Sequence, residues 1–265
     1  MFQPFGFMNT QAGGGGGDAD ADAFIAAAGI TDPTQEAAIQ TLVVGMKADN
    51  IWNNVQAVYP FVGGTATAHK FNLKNPLDTD AAYRLSFQGT WTHDANGAKS
   101  DGADTNYADT FWEVNNDASV NEHHTLKYAT IPSGTGCGYD GQGGSPYIIM
   151  GTCQALELFD GTATWSNAGS RAGGYAQGII RTASNNVEFW SYTNSAQTWS
   201  NKKTTTNAVG TITASNYTLG KINNTGFGND DTFGFQSLGP TMTLTEWADY
   251  FTLIQAFQTT LSRAV

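Results

Sequence analysis

Charge is scarce in this sequence. Asp, Glu, Lys and Arg make up 13% of its 265 residues, against about 25% in an average soluble domain. The 12 Lys and Arg residues are outnumbered by 23 Asp and Glu residues, so the net charge is −11. A protein that binds nucleic acid needs a basic stripe to displace counterions from the phosphates. The composition therefore excludes nucleic acid as an expected partner.

Long apolar runs and cysteines are also scarce. The longest apolar stretch, Phe24 to Ile30, is far shorter than the roughly 20 residues that a membrane-spanning helix needs. The N-terminus lacks the basic segment of a signal peptide. We therefore expect no membrane span and no export signal. Cys137 and Cys153 are too few for a disulfide framework and lack metal-ligand spacing, which leaves two buried free thiols or a single bridge.

Glycine and aromatic residues, in contrast, are abundant, with 31 glycines and 12% aromatic side chains. Gly13 to Gly17 follow an uncharged N-terminal stretch that carries four large apolar side chains: Phe2, Phe5, Phe7 and Met8. Because glycine-rich segments are flexible linkers, these side chains are decoupled from the rest of the chain. We interpret residues 1–17 as an arm that anchors in a neighbouring protein, with an ordinary disordered terminus as the alternative.

Residues 18–61 have the pattern of a helical adapter. An acidic start and Gly29 predict a first short helix. Asp32 as the cap and Pro33 at the first helical position predict the start of a second helix. Its apolar residues recur at helical spacing, namely Ile39, Leu42, Val43 and Met46. A third helix is predicted over Asn50 to Tyr59, ended by the proline that follows.

Residues 62–265 have the pattern of a β-sandwich with a terminal helix. Short β-branched and aromatic runs alternate with Gly, Asn, Asp and Ser as far as about residue 239. Eight or more such strands predict an antiparallel sandwich or jelly roll. Thr243 and Glu246 then form a capping-box pattern before an apolar helical stripe. We expect this stripe to pack on the sandwich; it consists of Trp247, Tyr250, Phe251, Ile254, Phe257 and Leu261.

Several stretches of the chain resemble a known group of proteins. They are YPFVGGTATAHKFNLKNPLDTDAAYRLSF, ADT, RTASNN and YFTLIQAFQTTLSRAV, preceded by the helical lead-in FIAAAGITDPTQEAAIQTLVVGMKADNIW. Over nearly all of residues 22–265 the chain resembles structural proteins of tailed bacteriophages that contain a concanavalin A-like, laminin-G-like jelly roll. Met1 to Gly17 lies outside this resemblance.

The resemblance implies a mostly β fold and a virion setting. The fold would be an antiparallel jelly-roll sandwich with an N-terminal helical adapter and a C-terminal helix. The expected function is that of a virion structural protein in a tail fibre, a head fibre or another capsid-associated component, for host attachment or decoration. Its partners would be other virion proteins through the arm, further copies of itself in a homo-oligomer, and a host-surface glycan. A dedicated glycan-binding receptor module is the alternative, because fold does not determine function.

Carboxylate pairs decide whether an enzyme is predicted on this fold. A retaining glycosidase needs two carboxylates about 5–5.5 Å apart. Glu113 and Asp117 are four residues apart, which on a strand separates them by about 13 Å, and Asp78 and Asp80 lie in a predicted turn. The Glu-x-Asp-x-Glu-like strand of carbohydrate-cleaving relatives is missing. We therefore predict that the chain is not an enzyme, with a polysaccharide-degrading enzyme as the alternative.

The four histidines offer no nucleophilic triad. No serine elbow or cysteine signature accompanies them in the sequence. Adjacent histidines on a strand point to opposite faces, so His123 and His124 are not expected to chelate one metal. All four are predicted at the surface or in loops: His69, His93, His123 and His124.

Oxygen donors collect in the predicted loops around residues 94–109. They are Asp94, Asn96, Asp101, Asp104 and Asp109, and carboxylate and amide oxygens are the ligands that calcium prefers. Jelly-roll lectins that this chain resembles often hold calcium in such loops. The spacing is not that of an EF-hand loop, and ordinary turn hydrogen bonding is the alternative. Calcium is thus the one candidate cofactor.

Aromatic rings among Asn, Ser, Thr and Gln residues predict a site for stacking and hydrogen bonding to glycans. The candidates are Trp165, Trp190, Tyr192 and Trp199, with Tyr175 nearby. In the strand VEFWSYT, alternation places Trp190 and Tyr192 on one face with Glu188, and we interpret that face as outward. Packing of these rings under loops or at a subunit contact is the alternative.

Overall fold

The computed structural model describes residues 17–131, 139–143, 147–151, 156–167, 173–193, 198–208, 212, 214–222 and 228–264. Both cysteines lie outside these ranges, as do the four apolar residues of the predicted arm. The predictions for Cys137, Cys153, Phe2, Phe5, Phe7 and Met8 therefore stay predictions.

The described chain forms two antiparallel sheets and five α-helices. The helices are α1 (Ala19–Ala28), α2 (Pro33–Ala48), α3 (Ala66–His69), α4 (Val114–Asp117) and α5 (Leu244–Thr260). The eight-stranded sheet has the order β13 (Ser200–Thr205), β12 (Asn186–Thr193), β11 (Gly173–Ala183), β6 (His123–Ile131), β15 (Thr232–Pro240), β4 (Gly97–Ser100) and β3 (Trp91–Asp94), and β1 (Ala57–Tyr59) also pairs with β15. The seven-stranded sheet has the order β10 (Ala163–Asn167), β9 (Leu156–Gly161), β8 (Tyr147–Gly151), β7 (Tyr139–Gln142), β14 (Thr218–Leu219), β5 (Tyr107–Asp109) and β2 (Ser86–Gln88). The predicted mostly β sandwich with helices near both ends of the chain is confirmed.

The long helices begin where their capping residues predict. The Asp32 carboxylate accepts hydrogen bonds from the backbone N–H groups of Thr34 and Gln35, at 2.9 Å each, and Pro33 opens α2. Thr243 and Glu246 form the predicted reciprocal capping box at the start of α5. Gly29 ends α1 with φ of 64°, a left-handed conformation that favours glycine. No helix in the described ranges is both long and apolar enough to cross a bilayer.

The predicted third helix is wrong. Only Trp52–Asn54 forms a single 3-10 turn, and Ala57–Tyr59 is the strand β1, which pairs with β15. Pairing with an existing sheet satisfies the backbone of this short segment, so tertiary context overrides its helical spacing. The fully buried Tyr59 also donates its hydroxyl to the Tyr83 carbonyl at 2.6 Å.

The helices cover the outer face of the eight-stranded sheet. Five of the six residues of the predicted apolar stripe are buried there, together with the apolar face of α2, and the sixth, Leu261, is half-buried just after α5. Gly178 on β11 provides the space for this layer, since a Cβ at that position would lie 2.4 Å from the Trp247 ring. The molecule therefore has three layers: helices, eight-stranded sheet and seven-stranded sheet.

The space between the two sheets contains buried charges beside its apolar core. At one end Lys127 on β6 forms ion pairs with Asp140 on β7 and with Asp231. At the other end the Arg181 Nε on β11 lies 2.8 Å from the Asp160 carboxylate on β9. Each of these five side chains is nearly or fully excluded from solvent. Both ion-pair groups connect one sheet to the other.

Candidate functional site

The aromatic residues predicted to bind glycans are packed against the protein. Trp199 stacks on Phe251 of α5, with ring centroids 4.3 Å apart and planes 6° apart, and it also stacks on Trp190. Tyr192 is 8% exposed and contacts Phe251. The predicted outward orientation of this strand face is wrong, because α5 covers it. Trp165 is half-buried and packs against Tyr175, which is itself buried.

The predicted calcium ligands serve separate turns. The carboxylates of Asp94, Asp101 and Asp109 accept hydrogen bonds from the backbone N–H two residues later, at 2.7 to 2.9 Å. Asp104 accepts one from the backbone of Gly228 at 3.0 Å, and Asn96 lies exposed in the β3–β4 turn. Within the described ranges, no three Asp, Glu, His or Cys side chains converge as metal ligands. These residues therefore show the turn chemistry that the sequence left open.

The predicted surface location of the histidines is wrong for three of the four. His69, His123 and His124 are buried: the last two lie on β6, which is covered on both faces, and His69 ends α3 against the rings of Phe61 and His93. His123 and His124 do point to opposite faces of β6. His123 lies near Asp160 between the sheets, and His124 forms a hydrogen bond with the Ser237 hydroxyl beneath α5. Burial lowers the pKa of His69 to about 3 and that of His124 to about 4. Both are neutral at pH 7.

Asp78 and Asp80 lie in the predicted turn and form surface ion pairs. Asp78 pairs with Lys70 and Arg84, and Asp80 pairs with Arg84. The hydrogen bond from Lys70 lowers the pKa of Asp78. Their charges are thus compensated by cations rather than by each other.

Glu113 and Asp117 are closer together than the sequence predicted. Glu113 caps the single turn of α4 and Asp117 is its last residue, so neither lies on a strand, and the Asp117 carboxylate accepts a hydrogen bond from the Glu113 N–H at 2.6 Å. The Tyr83 hydroxyl donates to the other Asp117 oxygen at 2.8 Å, while Glu113 Oε1 is buried without a hydrogen-bond partner. The estimated separation of about 13 Å is wrong because it assumed an extended backbone. We call Tyr83, Glu113 and Asp117 the carboxylate cluster.

Backbone strain accompanies the carboxylate cluster. Tyr83 and Phe111 both have φ of 56°, in a left-handed region that bulky residues rarely adopt. Such residues cost about 1–3 kcal/mol each and collect at functional sites. Burial, with the Asp117 hydrogen bond, raises the pKa of Tyr83, so its hydroxyl acts as a donor rather than a nucleophile.

Two adjoining clefts open around the C-terminal end of α5. The first, of about 220 Å³, has hydroxyl and amide groups on its walls, contributed by Asn96, Thr130, Thr232, Gln258 and Ser262. The second, of about 230 Å³, adjoins the start of α2 and includes Asp32, Thr34, Gln35, Ala95 and Thr260. Ser262 and Arg263 line both. We call them the C-terminal clefts; the sequence did not predict them because their walls come from segments that are distant along the chain.

Arg263 forms the shared wall of the C-terminal clefts. Its guanidinium donates to the backbone carbonyls of Phe61 at 2.8 Å, Pro60 at 3.1 Å and Gly234 at 3.3 Å. None of the described carboxylates forms an ion pair with it. Burial lowers its pKa to about 10, so it remains a cation at neutral pH. The clefts therefore contain a positive group in a chain of net charge −11.

Strain also marks the C-terminal clefts. Phe61 has φ of 46° and Ser262 has φ of 57°, and both residues adjoin or contact Arg263. Neither is glycine or asparagine, so the surrounding hydrogen bonds hold these conformations against their intrinsic cost. The result is a rigid, polar, partly positive cavity.

Known proteins resemble this chain in structure but not in sequence. No protein-family model and no curated protein sequence matches this chain. Domain 4 of AbnA, an extracellular arabinanase from Geobacillus stearothermophilus solved with arabinotriose, is similar at 11% identity and a TM-score of 0.43, over 74% of this chain and 98% of that domain. Trypanosoma rangeli sialidase in complex with sialic acid is similar at 11% identity and a TM-score of 0.46, over 84% of this chain. A mutant of that sialidase displaying trans-sialidase activity is similar at 12% identity and the same TM-score, and the chain spans 39% of the length of each sialidase.

These comparisons correct one prediction and leave another as it stood. The prediction that the chain is not an enzyme is wrong as an exclusion, because the similar structures come from an arabinanase and from sialidases. None of these three structures is a bacteriophage protein, so the virion setting stays a prediction. The chain is a two-sheet antiparallel β-sandwich with helices near its N- and C-terminal ends, weakly similar to sandwich domains of glycan-active proteins.

Proposed function

We propose that this chain is a glycan-binding β-sandwich module and that the C-terminal clefts hold the sugar. The main support is that two adjoining polar cavities share Arg263 as a wall. Arg263 is a buried cation that forms an ion pair with none of the described carboxylates. A volume of about 220 Å³ equals that of about seven water molecules at ~30 Å³ each. That space is comparable with a single sugar residue.

The chemistry of the walls suits a polyol. Hydroxyl and amide groups both donate and accept hydrogen bonds, as sugar hydroxyls require. Thr130 on β6 and Thr232 on β15 are directly paired, so the sheet holds their two hydroxyl-bearing side chains side by side on the wall of the first cleft. The Asn96 side chain is exposed at the rim. Pre-formed polar groups bind at a low entropic cost.

Arg263 favours an acidic sugar over a neutral one. A cation inside a cleft attracts a carboxylate or sulfate more strongly than it would in open water, because the protein lowers the local dielectric constant. The net charge of the chain is negative and repels anions, so we expect an acidic sugar to bind in the first cleft, which has no carboxylate on its walls, rather than in the second, where Asp32 lies. Affinity for an acidic sugar should therefore fall as the salt concentration rises.

Isothermal titration calorimetry with acidic and neutral oligosaccharides of matched length tests this function. The charge is varied on the ligand, because Arg263 also holds three backbone carbonyls. The double variant Thr130→Val, Thr232→Val should weaken binding about five- to 150-fold, since each of the two lost hydrogen bonds contributes about 0.5–1.5 kcal/mol. The control is Asn185→Ala, in the exposed β11–β12 turn. Unchanged affinity in the threonine variant would contradict the proposed site.

We further propose that the module is displayed on a bacteriophage particle through its N-terminal arm. Support comes from the sequence resemblance and from the apolar residues ahead of Gly13 to Gly17. The chain without residues 1–17 should stay folded and keep its glycan binding but fail to join particles. Incorporation of the shortened chain at normal copy number would contradict anchoring by the arm.

Hydrolysis at the carboxylate cluster is the second candidate function. It is favoured by the placement of Glu113 and Asp117 in one turn beside two strained residues. Asp117 is held by Tyr83 and by backbone, so Glu113, with one unbonded oxygen, is the candidate general acid or base. Release of reducing ends from polysaccharides should be abolished in Glu113→Gln and unchanged in Glu122→Gln, an exposed control. Wild-type protein without turnover would remove this candidate.

A further inference from the structure

Lys127 lies in an unusual position for a lysine. It is fully buried between the two sheets, and its ammonium donates hydrogen bonds to Asp140 and, at 2.7 Å, to Asp231. Lys127 belongs to the eight-stranded sheet and Asp140 to the seven-stranded sheet. A primary amine and a carboxyl group are thus held in contact by two rigid strands that face each other.

The Asp140 carboxyl group is surrounded by donors. Its Oδ1 accepts a hydrogen bond from the Gly220 backbone N–H at 2.6 Å, and its Oδ2 accepts one from the Asn229 amide at 3.0 Å. A backbone N–H fixed on one carboxyl oxygen can stabilise the negative charge that develops there when a nucleophile adds to the carbon. The second oxygen, which faces Lys127, is then the leaving oxygen.

Asp231 completes the arrangement. One of its oxygens contacts Lys127 and also accepts a hydrogen bond from the Tyr175 hydroxyl at 2.6 Å. A carboxylate that touches the amine can take a proton from the nitrogen and pass it on. Aromatic rings close the site, since the Lys127 nitrogen lies 4.7 Å from the Phe233 ring centroid and 5.5 Å from that of Tyr175.

Burial by itself favours the neutral forms of both groups, although at Lys127 the charges of Asp140 and Asp231 outweigh burial and raise its pKa. Charges that are buried without water are costly unless they are fully paired. Burial raises the pKa of Asp140 to about 6, although Lys127 acts in the opposite direction. A protonated carboxyl group is the form that an amine can attack.

We infer that Lys127 and Asp140 form an intramolecular amide bond that joins the two sheets, with Asp231 as the proton carrier. In the first step a proton moves from the Lys127 ammonium to Asp140 Oδ2, which leaves a free amine and a carboxylic acid. The amine nitrogen attacks Asp140 Cγ and forms the new C–N bond. Asp231 takes a proton from that nitrogen and returns it to Oδ2, and the C–Oδ2 bond breaks to release water. No oxidant or cofactor is required.

The product removes two of the three buried charges, and the Asp231 carboxylate, which loses its cation, keeps the hydrogen bond from the Tyr175 hydroxyl. Two buried charges become one neutral amide, whose N–H can donate to Asp231 and whose oxygen keeps the Gly220 donor. The bond would connect β6 to β7 across the sandwich. In a chain with only two cysteines, such a bond supplies a covalent connection between the layers that reduction cannot break.

Mass spectrometry of the purified full chain tests the bond directly. The expected intact mass is lower than the sequence mass by one water. After denaturation and trypsin digestion, Ser100 to Arg171 should remain a single peptide, because cleavage after Lys127 requires a free lysine side chain and no other Lys or Arg lies between these ends. A full sequence mass with complete cleavage after Lys127 would overturn the proposal. Loss of ammonia instead of water would also overturn it, because the acyl group would then be a side-chain amide and not Asp140.

Single-residue variants test the roles of Lys127, Asp140 and Asp231 one at a time. Lys127→Met and Asp140→Ala should both show the full sequence mass, and water loss that persists in either one overturns the assignment. Asp140→Asn should reach the same final mass as the linked wild-type chain, because the amide loses ammonia where the acid loses water. Asp231→Asn should stay largely unlinked; complete linkage there would overturn the role of Asp231. If a variant fails to fold, the wild-type mass alone decides.

Discussion

The two faces of the eight-stranded sheet are both buried but are held by different forces. On β6, Leu126 and Tyr128 face the helices, whereas Lys127 between them faces the other sheet. On β11, Ile180 faces the helices and Arg181 faces the other sheet. The helix-facing layer gains stability from apolar area, in proportion to what it buries. The charged parts of the inter-sheet layer depend instead on every charge keeping its partner.

Removal of α5 should have the largest effect on stability, because it uncovers the helix-facing layer. A chain that ends at Met242 exposes the outer face of the sheet, including the rings of Trp199 and Tyr192 that pack against Phe251. We expect it to be unfolded in circular dichroism and to lack a cooperative thermal transition. Thr252→Ala, on the exposed side of α5, is the control and should melt like the wild type. A truncated chain with an unchanged melting temperature would show that the helix layer does not support the sandwich.

Breaking the Arg181–Asp160 pair should have the next largest effect. Arg181→Met leaves the fully buried Asp160 without its cation, which should lower the free energy of unfolding by about 3–5 kcal/mol. Chemical denaturation would measure this.

The matched double variant sharpens the result. Arg181→Met with Asp160→Leu removes both charges, and replacing a buried pair by apolar residues is often neutral or stabilising by about 1–4 kcal/mol. We expect it to recover most of the lost stability. A double variant less stable than Arg181→Met would show that the inter-sheet layer depends on polarity itself rather than on matched charge.

Acid should destabilise the helix-facing layer, because His124 lies buried in it. Burial lowers its pKa to about 4, below the ordinary value of about 6.5. Between these two pH values the unfolded chain binds the proton more tightly, so the free energy of unfolding falls as the pH drops, by about 3 kcal/mol in total.

The difference between wild type and His124→Gln isolates this effect. Urea unfolding at several pH values between 6.5 and 4 should show a smaller acid-induced loss of stability in the variant, since the contribution of His69 is the same in both proteins. Equal losses in the two proteins would mean that His124 does not couple protonation to folding.

Gly178→Ala should have the smallest effect. The new Cβ would lie 2.4 Å from the Trp247 ring, and overpacking of this kind costs about 1–3 kcal/mol. Gly234→Ala on β15 is the control, because its Cβ would meet nothing closer than 3.5 Å. Thermal melts of the two variants would compare them. Equal stability would show that the helix layer can shift away from the sheet at little cost.

Much of the fold could be predicted from local patterns. Capping residues such as Asp32 and Thr243 determine where α2 and α5 begin, because they act within one turn of the backbone. Alternating β-branched runs predicted strands such as β11 and β12 for the same local reason. The segment at Ala57–Tyr59 was mispredicted because its pairing partner, β15, lies far along the chain.

The candidate sites could not be predicted in this way. Trp199 and Tyr192 have the sequence surroundings of exposed rings, yet Phe251 of α5, more than fifty residues later, covers them. Glu113 and Asp117 meet only because a helical turn replaces the expected strand. The C-terminal clefts combine Asn96, Thr130 and Arg263, which no local pattern connects.

Composition and short-range chemistry were thus sufficient for the β-rich class, the long helices and their boundaries, since each depends on neighbours within a few residues. The burial of Lys127 and Arg181 was settled by the layers that cover both faces of their sheet. An alternating strand with one charged face is typical of a sheet that has water on one side. Here the second sheet replaces that water, and burial in the resulting low dielectric makes partners of residues that are remote in sequence.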